Sequence, residues 1–151
     1  MNKILIIILL IILNGCGFKV LKNEEFSKYY ISQVNTIGDK KINYRLKNKI
    51  IPSKASDKIP IIIDLETTKE KTIKEKNIEN EITKYNLKIN VKAKVKLFNS
   101  SELKDFKVTK IGSYSVENRY TDTRNNEKKL IKNLSNDIAD DIKKQLSLIL
   151  K

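Results

Sequence analysis

Few residues in this 151-residue chain are of a kind that does chemistry, and the one that stands apart is Cys16. It is the only cysteine, it closes the run Leu13-Asn14-Gly15-Cys16, and it ends an N-terminus patterned as a secretory signal. The chain has no histidine, no Gly-rich phosphate loop and no Ser-x-x-Lys arrangement, which removes the common ways of activating a nucleophile. Carboxylates fall close together at Asp64 with Glu66, and at Asp137 with Asp140 and Asp141, where acid/base work is conceivable in principle. On a helix the latter three form a solvated face with Lys143 and Lys144. Isolated Asp and Glu without His, Cys or an EF-hand loop are a poor metal ligand set. The residue types therefore predict neither an enzyme nor a metal or cofactor site, and leave a thiol available for attachment.

The signal has three parts. Lys3 supplies a positive start, Ile4 to Leu13 form an unbroken apolar stretch of ten residues, and small Gly15 precedes the cut. A helix needs roughly 20 apolar residues to span a hydrocarbon core, so this stretch is too short for a permanent transmembrane anchor. Leu13, Gly15 and Cys16 resemble the bacterial lipobox, in which the cysteine thiol receives diacylglycerol and the freed amine is acylated; Asn14 is bulkier than the usual residue at its position. One acyl chain binds membranes only marginally, at about 0.8 kcal/mol per buried methylene, whereas the three chains that the resemblance implies hold a protein down almost permanently. The other reading is a free cysteine behind an ordinary signal peptide. The lipobox reading makes residues 1–15 a signal and residues 16–151 one mature domain with a modest core. Gly17 follows the cysteine in place of the Asp that retains some lipoproteins at the inner membrane, which predicts an outer-membrane destination.

Lysine and arginine number 31 against 18 acidic residues, a formal charge of +13 that becomes +12 once Lys3 is removed. Only Arg45, Arg119 and Arg124 are arginines, and the wealth of Ile, Lys and Asn has the character of an AT-rich coding bias. An exported basic protein faces anionic lipid or lipopolysaccharide rather than nucleic acid.

The elements that would position these charges show two periods. From Leu87 to Leu97 every odd residue is apolar and every even one polar, which predicts a strand with one buried and one wet face. Phe106, Val108, Tyr114 and Val116 continue the alternation, broken at Lys110 and Gly112 where a bulge or bend is expected. Asn99-Ser100-Ser101 would turn these two strands into an antiparallel hairpin. Ile59 to Leu65 reads as a strand opened by Pro60, and a first strand falls within Tyr29 to Ile37 despite poor alternation. Gly38-Asp39 leads into a short helix from Lys40 to Ile51, with Ile42, Leu46 and Ile50 on one face and Pro52 as its stop. A long helix from about Arg124 to Leu150 carries Leu130, Ile131, Leu134, Ile138, Ile142, Leu146 and Ile149 on one stripe, with Thr121, Asp122 or Thr123 as N-cap. Residues 66–84 are charged and lack Gly and Pro; a loop, a short helix and a twisted hairpin tip all fit, with the hairpin tip preferred. The result is an α+β two-layer sandwich, two helices on one face of a four-stranded mixed sheet.

Cys16-Gly17-Phe18, followed by this order of elements, resembles the LptE family, lipoproteins of the lipopolysaccharide export machine in Gram-negative outer membranes. Thr83-Lys84-Tyr85-Asn86-Leu87 through Leu97 is similar to the family's central strand, with Lys where arginine is frequent. Tyr114-Ser115-Val116-Glu117-Asn118, then Tyr120 and Asn126-Glu127, is similar to its passage from hairpin to helix. The resemblance implies a non-enzymatic protein on the periplasmic side of the outer membrane, seated inside an LptD β-barrel. There it would plug the barrel, help it assemble and bind lipopolysaccharide. It also implies lipopolysaccharide contacts at Arg124, near the start of the last helix, and at Lys76, in the segment before the central strand. The alternative is an envelope lipoprotein serving as structural adaptor of another outer-membrane complex.

Overall fold

A computed structural model describes residues 28–50, 57–98 and 103–150. The signal, Cys16, Pro52 and the Asn99-Ser100-Ser101 turn lie outside the described residues. Six elements follow one another: β1 (Tyr29–Gly38), α1 (Lys40–Lys49), β2 (Ile59–Lys76), β3 (Ile82–Leu97), β4 (Leu103–Ser115) and α2 (Tyr120–Ile149). The strands form one sheet in the order β1-β2-β3-β4, with β1 parallel to β2 and the other pairs antiparallel. Both helices pack on one face, so the expected two-layer α+β sandwich is the observed architecture.

The core lies where the two periods meet. Leu87, Ile89, Val91, Ala93 and Val95 of β3 are buried against Ile131, Leu134, Ile138, Ile142 and Leu146 of α2, and α1 adds Ile42, Leu46 and Ile50. Fully burying one such aliphatic side chain contributes about 1.5–3 kcal/mol, so this interlayer set dominates the stability of the domain. In β1 the buried residues are Ile31 and Val34, because the register against β2 shifts between Ile31 and Gln33. That bulge is why the first strand lacks clean alternation in sequence.

Three local expectations are corrected. The pairing of β3 with β4 runs without a shift from Lys84↔Ser115 to Lys96↔Leu103, so Gly112 marks no bulge. It marks a close approach: a Cβ there would lie 2.7 Å from Leu130 Cδ1. The last helix begins at Tyr120 rather than near Arg124, with Arg119 at the N-cap and no side-chain capping bond. The Thr123 hydroxyl accepts instead from the Glu117 amide at 2.8 Å, tying the loop to the first turn. Asp141 does not share a solvated face with Lys143 and Lys144; it pairs with Lys110 of β4 at 2.7 Å and fastens α2 to the sheet.

Residues 66–76 extend β2, and β3 starts at Ile82, so the charged segment is a hairpin as preferred. Its turn is held by Asn77, whose side-chain oxygen accepts from the amides of Glu79 and Glu81, with Asn80 in the left-handed region that asparagine tolerates. At 16 residues β3 is about 53 Å long at ~3.3 Å per residue, and the hairpin projects beyond both β1 and β4.

Candidate anion-binding groove

Both helices start toward the end of the sheet from which the hairpin projects. β1 ends at Gly38 beside Thr67, and α1 begins two residues later; β4 ends at Ser115 beside Lys84, and α2 begins five residues later. Gly38 makes the first of these turns possible. Its φ of +107° suits glycine, and a Cβ would fall 2.0 Å from the Thr67 carbonyl oxygen. Asp39 then caps α1, its carboxylate accepting from the amides of Lys41 at 3.0 Å and Ile42 at 3.1 Å. Below the helix the Thr67 hydroxyl donates to Asn43 Oδ1 at 2.7 Å, a buried polar bond that locks α1 to β2.

Between the two helices this arrangement opens a groove of about 350 Å³ lined by Lys40, Lys41, Tyr44, Arg45, Lys69, Arg124, Glu127, Lys128 and Ile131. Arg124, Glu127, Lys128 and Ile131 share one face of α2 by their three- and four-residue spacing, and Lys41 and Arg45 do the same on α1. Six of the lining residues are cations and Glu127 is the one carboxylate. A second carboxylate, Asp39, sits at the margin and pairs with Lys69 at 3.1 Å. Burial pushes the Asp39 carboxyl up, but the Ile42 amide, the Lys69 ammonium and the Lys41 amide outweigh it and hold the group below its ordinary range. Two positive helix N-termini add to the field, and α2 brings a first turn with no side-chain cap.

Beyond the groove, the Lys71 ammonium lies 3.8 Å from the Tyr85 ring centre and 5.4 Å from that of Tyr114. Tyr114 is buried and its hydroxyl has no partner in hydrogen-bonding geometry among the described residues; burial pushes its pKa up, against the pull of Lys71. None of these three residues lines the groove.

Of the two basic residues singled out in the sequence, Arg124 lines the groove and Lys76 does not. Lys76 stands at the hairpin end, its ammonium donating to Asn80 Oδ1 at 2.7 Å. Seven residues of strand separate it from Lys69, about 23 Å at ~3.3 Å per residue, so the fold does not bring the two together at one site. Lys40, Lys41, Arg45, Lys69 and Lys128 were not singled out. The pairs Lys41/Arg45 and Arg124/Lys128, each four apart near a helix start, were the available signal.

No protein-family model and no curated protein matches this chain. Solved structures do. Rare lipoprotein B from Shewanella oneidensis aligns at a TM-score of 0.59 and 17% identity over 78% of this chain and 95% of that one. The chain has the rare lipoprotein B fold. Lipoprotein B from Nitrosomonas europaea aligns at 0.55 and 17% identity, covering 81% and 83% of the two chains. A lipoprotein of Caulobacter crescentus aligns at 0.56 with 9% identity, over 85% and 94%. Rare lipoprotein B is the protein otherwise called LptE, so the resemblance read from the sequence and the likeness in three dimensions name the same fold. Within that fold the groove lies between the helix starts, at the opposite end of the sheet from Tyr29, where the segment leading back to Cys16 joins.

Proposed function

We propose that this chain is an outer-membrane lipoprotein of the LptE kind. It is anchored through Cys16, plugs and helps assemble an LptD-like barrel from the periplasmic side, and binds lipopolysaccharide without enzymatic activity. The groove carries the reading: six cations gather where two helices begin, around a space open to solvent. The phosphates of lipid A and core sugars suit such a site. Lysine and arginine stems pack along the walls while their charged heads meet phosphate oxygens, and the helix termini favour the same charge. Arg124 sits within this set, and Lys76 offers a separate contact at the hairpin end.

The test is affinity purification of the tagged, lipidated protein from native membranes, with mass spectrometry of its partners and a lipopolysaccharide pull-down on the same material. The expected result is a large LptD-like barrel in near-equal amount, and lipopolysaccharide retention that drops in Arg124→Asp. A Cys16→Ala chain should leave the membrane fraction in cells lacking the barrel; its full retention there would defeat the anchor. A second reading, a structural adaptor for another envelope complex, draws on the hairpin tip, where Ile73 is half exposed and Ile78 wholly so. Recovery of such a complex with no barrel and no bound lipopolysaccharide would establish that reading instead.

A further inference from the structure

Among the described residues, the projecting hairpin has one side with no strand beside it. β1 accompanies β2 from Ile59 to Thr67 and stops at Gly38, whereas β3 accompanies β2 to Lys76. The direction of the β2 backbone groups follows from the bonds at its start. The Ile59 amide donates to the Lys28 carbonyl, and the Ile61 carbonyl accepts from the Ser32 hydroxyl, both on the β1 side; the Pro60 carbonyl accepts from the Phe98 amide on the β3 side. Odd residues of β2 therefore face the β1 lane, and the register with β3 holds without a shift from Ile61 to Ile73. Beyond Gly38, the amides and carbonyls of Lys69, Lys71 and Ile73 point into an empty lane, where no described residue pairs with them. Of the ordinary devices that blunt an edge, this stretch has lysines, Lys69, Lys71 and Lys74, which discourage pairing with another uncharged or basic edge but not with an acidic one; it holds no proline, and the register shifts come only after Ile73.

We infer that this lane takes an extended, acidic segment of a partner protein, added to the sheet as a fifth strand alongside Lys69 to Ile73. This goes beyond the lipopolysaccharide reading, because the ligand is a polypeptide and the contact is main chain to main chain. Six backbone groups set the orientation. Charge selects the occupant: α1 begins at the head of the lane, so Lys40 and Lys41 flank it on the helix side, with Lys69, already paired with Asp39, beside them. A second copy of this chain is disfavoured, since antiparallel pairing of two such edges sets Lys69 and Lys71 of one copy against lysines of the other. Alternate carboxylates on the incoming strand meet these cations instead.

The test uses the full lipidated chain in detergent, amide hydrogen exchange, and a capped six-residue peptide alternating glutamate with valine. The amides of Lys69, Lys71 and Ile73 should exchange freely alone and slow at least tenfold with saturating peptide, while those of Glu70 and Thr72 are slow throughout. Lys71→Pro deletes one outward amide and no bond to β3, so it should weaken the peptide at least tenfold relative to Lys71→Ala. A peptide with lysine in place of glutamate should also bind at least tenfold more weakly. Protection of the three amides in the free chain, which would mean that residues outside the described set already fill the lane, overturns the inference. Equal binding by the proline and alanine variants, or no slowing with the glutamate peptide, overturns it too.

Discussion

The open face of the sheet and the groove between the helices are both built from lysine, and they differ in what stands opposite. On the open face the lysines of β3 meet carboxylates of β2 across the ladder: directly opposite for Lys84 with Glu75 at 2.8 Å and for Lys88 with Glu70 and Lys92 with Glu66 at 3.5 Å, and on the diagonal for Lys96 with Asp64 at 2.6 Å. The Lys96 ammonium, then the Asn35 amide, hold the Asp64 carboxyl below its ordinary range, and Lys84 does the same for Glu75. In the groove six cations face two carboxylates, and among the described residues only Lys69 of the six has a partner within salt-bridge distance. A high lysine count is thus no guide to an anion site by itself. Cross-strand pairing neutralises charge where an acid strand lies beside a basic one, and charge accumulates where two helix starts converge with few acids between them.

The largest expected effect breaks the scaffold of the groove while sparing the ladder. Gly38→Ala puts a Cβ against the Thr67 carbonyl in a left-handed backbone, and should cost about 3 kcal/mol or more of unfolding free energy, read from denaturant midpoints. Next comes the charge contrast itself. Arg124→Asp with Lys128→Glu should lower lipopolysaccharide affinity at least tenfold, about 1.4 kcal/mol, while Lys88→Glu with Lys92→Glu on the open face changes it less than twofold. Equal losses in the two pairs would mean that total charge, rather than the groove, governs binding. Asp39→Ala removes the α1 cap and should cost about 1 kcal/mol, with Asp39→Asn recovering most of it. The same group predicts an acid limb. Its folded pKa lies below the ordinary 3.8, so its stabilisation is complete above that value and is lost as pH falls through the lower folded pKa; stability of Asp39→Asn should fall less steeply below pH 4. The smallest effect belongs to the ladder: Glu66→Gln should change stability by no more than about 0.5 kcal/mol, since Lys92 and Glu66 are more than half exposed.

These contrasts were legible in the sequence to different depths. Strict alternation from Leu87 to Leu97 and the stripe on α2 predicted their elements and their buried faces, because burial on one side leaves a period that composition bias cannot imitate. The charged half of β2 left none. Every residue from Thr68 to Lys76 is exposed, so no apolar face marks the strand, and its pairing partner across the hairpin is what makes it one. Gly112 and the start of α2 were misread for a related reason. The pressure of Leu130 on the sheet, and the loop bond from Thr123 to Glu117, join residues that local pattern does not connect.

Taken alone, the amino-acid sequence determined the two-layer architecture, the faces of its main strand and helices, and a lone thiol after a signal-like start. It did so because hydrophobic periodicity and residue chemistry are local properties. Only the tertiary structure decided which lysines are neutralised and which are gathered, separating Lys76 from Arg124 and adding Lys40, Lys41, Arg45, Lys69 and Lys128 to the latter. Electrostatic sites depend on distances between elements remote in the chain, and those distances are set by the packing of α1 and α2 on the sheet.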